Sequence, residues 1–182
     1  MGLVFKGERG ATLIEAAIIL PLLLFMVFSI LELGVALKDF LTTDFAAKEG
    51  ARVAALAGND PDADCQIVQS IVAGYSATDI AKLDSILIWQ VNEAGNPTGQ
   101  QNQWTFDNDP GDDPLDCADW NQTGGWDSTS RDVALGSGAE LDIVGITIDT
   151  RHDWITGIPP WRGEMNIVRT AIQRLEPEMF ET

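Results

Sequence analysis

Residues 16–31 contain no charged side chain; alanine, isoleucine, leucine, phenylalanine, methionine and valine fill them, with only Pro21 and Ser29 interposed, and Glu15 and Glu32 bound the run. A helix this apolar on every side cannot be left to water and must be covered. Residues 11–14 and 33–37 are also uncharged and lengthen it to a helix that crosses a bilayer core of about 30 Å, with the two carboxylates near the interfaces. Lys6 and Arg9 precede the run, which keeps the N-terminus cytoplasmic and sends the rest of the chain across. A buried core helix is the competing reading, and this charge layout weighs against it. A cleaved secretory signal would end in a small-x-small site, and Leu31, Glu32, Leu33 and Gly34 do not supply one.

Beyond the span, residues 38–182 suffice for one small domain with a core of its own. Lys plus Arg total 11 against 28 Asp plus Glu, a net charge of −17 that repels a phosphate backbone, so nucleic acid is excluded as a partner. A 45% hydrophobic content is too high for a disordered acidic tail.

The junction before the span is the most informative stretch. Gly10 and Ala11 follow a short basic leader, and Glu15 stands at the fifth position after the glycine, inside the start of the apolar helix. A glycine permits an extended backbone at a cleavage point, and a carboxylate within the membrane is costly enough to need a partner. Glu15 snorkelling to the interface is the plainer alternative. The pattern resembles the processing site of type IV pilin-like proteins. That resemblance implies cutting after Gly10 by a prepilin peptidase, and pairing of Glu15 with the freed amine of Ala11 on a neighbouring subunit.

Further residues narrow the resemblance. Glu15, Ala16, Ala17, Ile18, Ile19, Leu20 and Pro21, then Glu32, Leu33 and Gly34, then Ala46, Ala47, Lys48, Glu49, Gly50, Ala51 and Arg52 together resemble the TadE/TadG-like tight-adherence (Tad) pilus assembly family. The resemblance implies a membrane-anchored minor pilin or pseudopilin whose extracytoplasmic sheet packs on the helix.

The helical pattern continues through residue 57, with Leu37, Leu41 and Phe45 at four-residue spacing, then Val53 and Leu56. Gly58 and Pro61 end it, and Asp62 or Asp64 can cap a shorter helix to about Ala73 with Ile67, Val68, Ile71 and Val72 inward. Residues 85–92, 141–150 and 165–175 read as three strands of a small antiparallel sheet. In the third, Val168, Thr170, Ile172 and Arg174 alternate with Ile167, Arg169, Ala171 and Gln173, so that one face can lie on the helix.

The insert 93–139 is the least regular part, rich in Asn, Gly, Pro and Asp, with no basic residue between Lys82 and Arg131. A structureless loop of that size is functional, stapled or disordered. Cys65 and Cys117 both fall in the extracytoplasmic part, where an oxidising compartment permits a disulfide, and one bridge is expected; two separate thiols are the alternative. Asp107, Asp109, Asp112 and Asp113 surround Gly111, the oxygen-rich turn that calcium requires, although Pro110 breaks the EF-hand alternation and a solvated acidic loop fits as well. The crowded carboxylates lead us to expect that the insert tunes an extracellular contact instead of holding the fold together. Asn121 to Thr123 fits the N-glycosylation pattern.

Trp104, Trp120, Trp126, Trp154 and Trp161 either complete a small core or stack on sugars and partner subunits. His152, the single histidine, reads as a turn residue, and no nucleophile, zinc or phosphate-loop motif is present, so no enzyme is expected.

The sequence therefore predicts an α+β protein with a cytoplasmic leader (1–10), a transmembrane helix (11–37) and an extracytoplasmic domain (38–182) carrying a three-stranded antiparallel sheet. It is expected in the bacterial inner membrane. There it would pack laterally with other pilin or pseudopilin subunits and Tad inner-membrane assembly proteins. A membrane-anchored adhesive module that binds calcium or glycan through the insert is the alternative.

Overall fold

The structure, a computed structural model, describes residues 8–75, 79–107, 109–133 and 140–176, with side chains from Thr12 onward. Its main elements are α1 (Glu8–Ala57), α2 (Ala63–Val72), β1 (Leu83–Val91), β2 (Pro97–Phe106), β3 (Trp120–Gly124), β4 (Ile143–Asp153) and β5 (Glu164–Arg174). Two compact units divide them. One joins α1 through Lys38 to the β4–β5 loop, Trp154–Gly163; the other holds Asp39–Asp153 and the chain from Glu164.

In the first unit α1 continues through Pro21 and leaves its large side chains, Leu13, Ile14, Ile18, Leu22 and Ile30 among them, exposed. In the second unit the same helix turns small residues inward. Ala46, Ala47, Gly50, Ala51, Ala54 and Ala55 are buried, while Leu41, Phe45 and Leu56 face out, Phe45 at 65% exposure. Of the large residues in the expected helical pattern, Val53 packs half-buried against the core, whereas Leu41, Phe45 and Leu56 do not, and small residues supply the rest of the contact. The small ones meet it because they let other elements approach closely: a Cβ on Gly50 would stand 2.7 Å from Ile71 Cγ1 of α2.

Gly58 ends α1 at a φ of +54°, as the sequence indicates, and its N–H donates to Ala54 O. Neither candidate cap serves α2, however. Asp62 stands at the N-cap position without a side-chain bond, and the Asp64 carboxylate turns instead to Asn102 and Arg131. The inward set Ile67, Val68, Ile71 and Val72 is buried as expected.

Among the described residues the sheet is antiparallel and has five strands, in the order β3-β2-β1-β4-β5, where three are expected. The extra pair, β2 and β3, comes from the insert. β2 is rich in Gln and Asn, carries little apolar alternation and is largely exposed over its first half, so it shows no strand signal of its own. A tight hairpin recruits it: the Asn92 carboxamide oxygen accepts the N–H groups of Ala94 and Asn96, and β2 then pairs along β1 from Val91↔Pro97 to Ile86↔Trp104. On β5 the inward set is Ile167, Arg169 and Ala171, one of the two faces that the alternation defines.

The core lies between this sheet and the two helices. Ile86, Ile88, Val144, Ile146 and Ile148 meet the α1 and α2 face, and Trp104, Trp120 and Trp126 of the insert are buried with them. The insert therefore holds the fold together, against the expectation drawn from its acidity. The Tyr75 hydroxyl lies 3.1 Å from both the Thr43 and Thr150 hydroxyls, and burial pushes its phenol above the ordinary range.

Two further ties fasten the insert. Cys65 of α2 and Cys117 are disulfide-bonded, with Cα atoms 5.8 Å apart. Arg131, fully buried, pairs with Asp64 and stacks over the Trp126 ring at 4.4 Å, while Asn102 donates to Asp64 and to Trp126 O and accepts the Trp126 N–H. Burying a guanidinium is tolerable only while its partner stays. In chemical denaturation, Asp64→Ala is expected to cost about 3–5 kcal/mol, and adding Arg131→Met should recover part of that loss. The double substitution Cys65→Ser, Cys117→Ser is expected to lower stability by on the order of 4 kcal/mol from its loop length, measured against the unreduced wild type. An unchanged denaturation midpoint would contradict either expectation.

Candidate functional site

The expected leader lies partly beyond the structure, since residues 1–7 are outside the described residues. Gly10 and Ala11 occupy the first turns of α1, and Glu15 is exposed one turn further on, at the head of the uncharged run. From Glu15 to Leu31 nearly all of the helix surface is open. Such a surface needs a cover that the first unit supplies only in part.

That part is the β4–β5 loop. Ile158 and Trp161 close an apolar cleft of about 260 Å³ with Pro21, Leu24, Phe25 and Phe28, and the Trp161 and Phe25 rings stand 5.3 Å apart. Glu32 fixes the loop's root. Its carboxylate is fully buried and accepts the Ile155 N–H at 3.0 Å and the Thr156 N–H at a shorter distance. Hydrogen bonds to a charged acceptor are stronger than neutral ones, and here one side chain holds two consecutive backbone amides. In the sequence Glu32 bounds the span and belongs to the TadE/TadG-like pattern, and neither points to the loop. Its partners lie more than 120 residues downstream, and nothing local to either segment announces them.

A second buried polar group lies in the other unit. His152 is not a turn residue but belongs to β4, fully buried, with Nδ1 2.7 Å from Asp39 Oδ2 of α1; the same oxygen lies 3.3 Å from Lys82 Nζ. The space beside Asp39 and Lys82 is too small for a water molecule, so the cluster pins a helix to a strand and offers no room to a substrate.

The acidic residues of the insert act as local turn makers. Asp112 accepts the Asp109 N–H, Asp113 the Leu115 N–H, Asp116 the Ala118 N–H and Asp119 the Asp113 N–H, while Asp107 accepts from the Asn121 carboxamide in β3. Hydrogen bonds from the Thr129 hydroxyl and then its amide hold the Asp127 carboxyl below the usual carboxylate range. Asp107, Asp109, Asp112 and Asp113 are not brought to one point: among the described residues no three His, Cys, Asp or Glu side chains converge to hold a metal ion. Trp104, Trp120 and Trp126 are core residues and not exposed stacking platforms.

Removing the Glu32 carboxylate is expected to release the loop without unfolding the sheet. Glu32→Ala leaves two amides without their acceptor, worth about 1–3 kcal/mol locally. Faster hydrogen exchange at Ile155 and Thr156 and faster tryptic cleavage after Arg162 are the expected signs, with Glu32→Gln intermediate. Wild-type exchange at both amides in Glu32→Ala would refute the role.

No curated protein and no solved structure matches the chain. Residues 10–52, which carry Gly10, Glu15, Pro21, Glu32 and most of the small-residue face of α1, match the family model of TadE-like proteins, so this segment of the chain is TadE-like.

Proposed function

We propose that the protein is a membrane-anchored, minor-pilin-like or pseudopilin-like component of a Tad pilus assembly or secretion system. The observation that carries this reading is the exposed apolar surface of α1 in a segment that matches the TadE-like family. Residues 11–37 anchor it in the bacterial inner membrane, the leader 1–10 is cytoplasmic, and the domain formed by residues 38–182 is extracytoplasmic. A disulfide in that domain accords with an oxidising compartment. A prepilin peptidase removes the leader between Gly10 and Ala11.

The protein works by lateral packing of helices and not by chemistry on a substrate. Lipid has no need for Leu41 and Phe45 to face outward beyond the span, whereas the helices of neighbouring subunits or Tad inner-membrane assembly proteins can cover them. Glu15, costly within a bilayer, finds its partner in the Ala11 amine of the next subunit.

Protein recovered from membranes that contain a prepilin peptidase is expected to begin at Ala11 on N-terminal sequencing, and a start at Met1 would rule out processing. Glu15→Ala should leave cleavage intact but reduce cross-linking to partner helices. Leu41→Ser with Phe45→Ser should reduce the same cross-linking at a stability cost within about 0.5 kcal/mol per site, because both side chains are exposed. Undiminished cross-linking in all these variants would overturn lateral packing as the mechanism.

A further inference from the structure

We infer that the β4–β5 loop, residues 154–163, is a second membrane element that enters the lipid beside α1. The inference rests on the anchoring of α1 proposed above and adds to it a site that the N-terminal segment alone does not reveal. Its first support is position. Ile158 and Trp161 pack on Pro21, Leu24, Phe25 and Phe28, all inside the uncharged run. Lipid that surrounds those turns of the helix surrounds the loop that lies on them. Phe25 stands seven residues before Glu32, about 10 Å along the helix axis, so with Glu32 at the interface Trp161 reaches the depth at which interfacial elements bury their apolar faces.

The second support is composition. A chain with 28 acidic residues places none between Asp153 and Glu164; the loop reads Trp154, Ile155, Thr156, Gly157, Ile158, Pro159, Pro160, Trp161, Arg162 and Gly163. Ile155 is 68% and Ile158 41% exposed. The only charge is Arg162, a side chain that can snorkel to anionic headgroups while its stem stays among apolar groups. Tryptophan flanking such a segment suits the boundary between headgroup and acyl chain.

The third support is the fate of the backbone, which must be satisfied wherever water is excluded. Pro159 and Pro160 have no N–H to satisfy. The N–H groups of Ile155 and Thr156 go to Glu32, and that of Ile158 lies 3.4 Å from the Thr156 hydroxyl. Gly157 O accepts from Arg162 Nε at 3.2 Å. An ordinary surface turn leaves such groups to water; here the two consecutive amides at the loop's root go to the buried Glu32 instead. Glu32 thereby has a purpose in the apolar segment: it supplies the acceptors that let two amides leave water.

The test uses the full chain reconstituted in phosphatidylcholine vesicles, with and without brominated acyl chains, and reads tryptophan fluorescence. Trp89, Trp104, Trp120 and Trp126 belong to the sheet unit, so the membrane signal comes from Trp154 and Trp161. Brominated lipid is expected to quench part of the wild-type emission, and the double variant Trp154→Phe, Trp161→Phe is expected to lose that quenchable part. Equal quenching in wild type and variant, or no quenching in either, overturns the inference. Flotation after alkaline carbonate washing separates the two readings. Protein that stays with the vesicles yet shows no loop quenching is anchored by α1 alone, and only the loop inference fails. Protein that washes off defeats the anchoring and the loop inference together. A lysine at Ile158 (Ile158→Lys) provides a second check: it should abolish quenching at Trp161 while leaving the Cys65–Cys117 bond and the sheet intact, and undiminished quenching would count against lipid entry.

Discussion

The close approach that Ala46, Gly50 and Ala54 permit is what the sheet domain depends on. Helix surfaces with large residues hold their neighbours at the usual 8–10 Å, whereas a strip of alanine and glycine draws them in until backbone lies near side chain. Ile71 of α2 uses that space at Gly50, and Ile146 of β4 reaches the same point. The sheet uses the device once more. A Cβ on Gly145 of β4 would fall 2.5 Å from the Trp89 indole, which crosses the opposite glycine to donate to the Thr147 hydroxyl at 3.1 Å. Packing small against large in this way fixes which residue meets which, and so fixes the register of β1 on β4.

The same choice explains why α1 presents its bulk outward. Leu41, Phe45 and Leu56 are left exposed because the inner positions have gone to small residues. A helix that serves only its own domain would place them the other way round. The arrangement is that of an element with two loyalties, one face for its own sheet and another for whatever lies beside it.

Much of this was legible in the sequence, and what was not had a physical reason. The uncharged run, the Gly58 stop, the inward face of α2, the Cys65–Cys117 pair and three of the strands all leave local marks: charge, backbone freedom, periodicity, β-branched residues. β2 leaves none, because Gln100, Gln101, Asn102 and Gln103 are strand residues by virtue of the hairpin at Asn92 and the partner already formed by β1. The inner face of α1 leaves little mark either, because hydrophobicity scales reward size, while this strip of alanine and glycine is used for closeness. Asp39 with His152 and Glu32 with Ile155 are separated by 113 and 123 residues, and their pairing exists only once the strands are stacked. Acidity misled at the insert, where aspartates organise turns over a core of tryptophans.

The bond between Cys65 and Cys117 also has a topological meaning. It closes the chain into a ring that contains β1, β2 and the acidic turn after β2. A single cut within that ring, for instance at the exposed turn near Gly111, opens the backbone but frees no fragment, because both new ends remain tied through sulfur. The two sides of such a cut would still share the hydrogen bonds of the β2–β3 and β1–β4 pairs and the Trp104 contact with the core. A nicked molecule would then run as one chain until it met a reductant, so a protease can open the acidic turn without the sheet losing a strand.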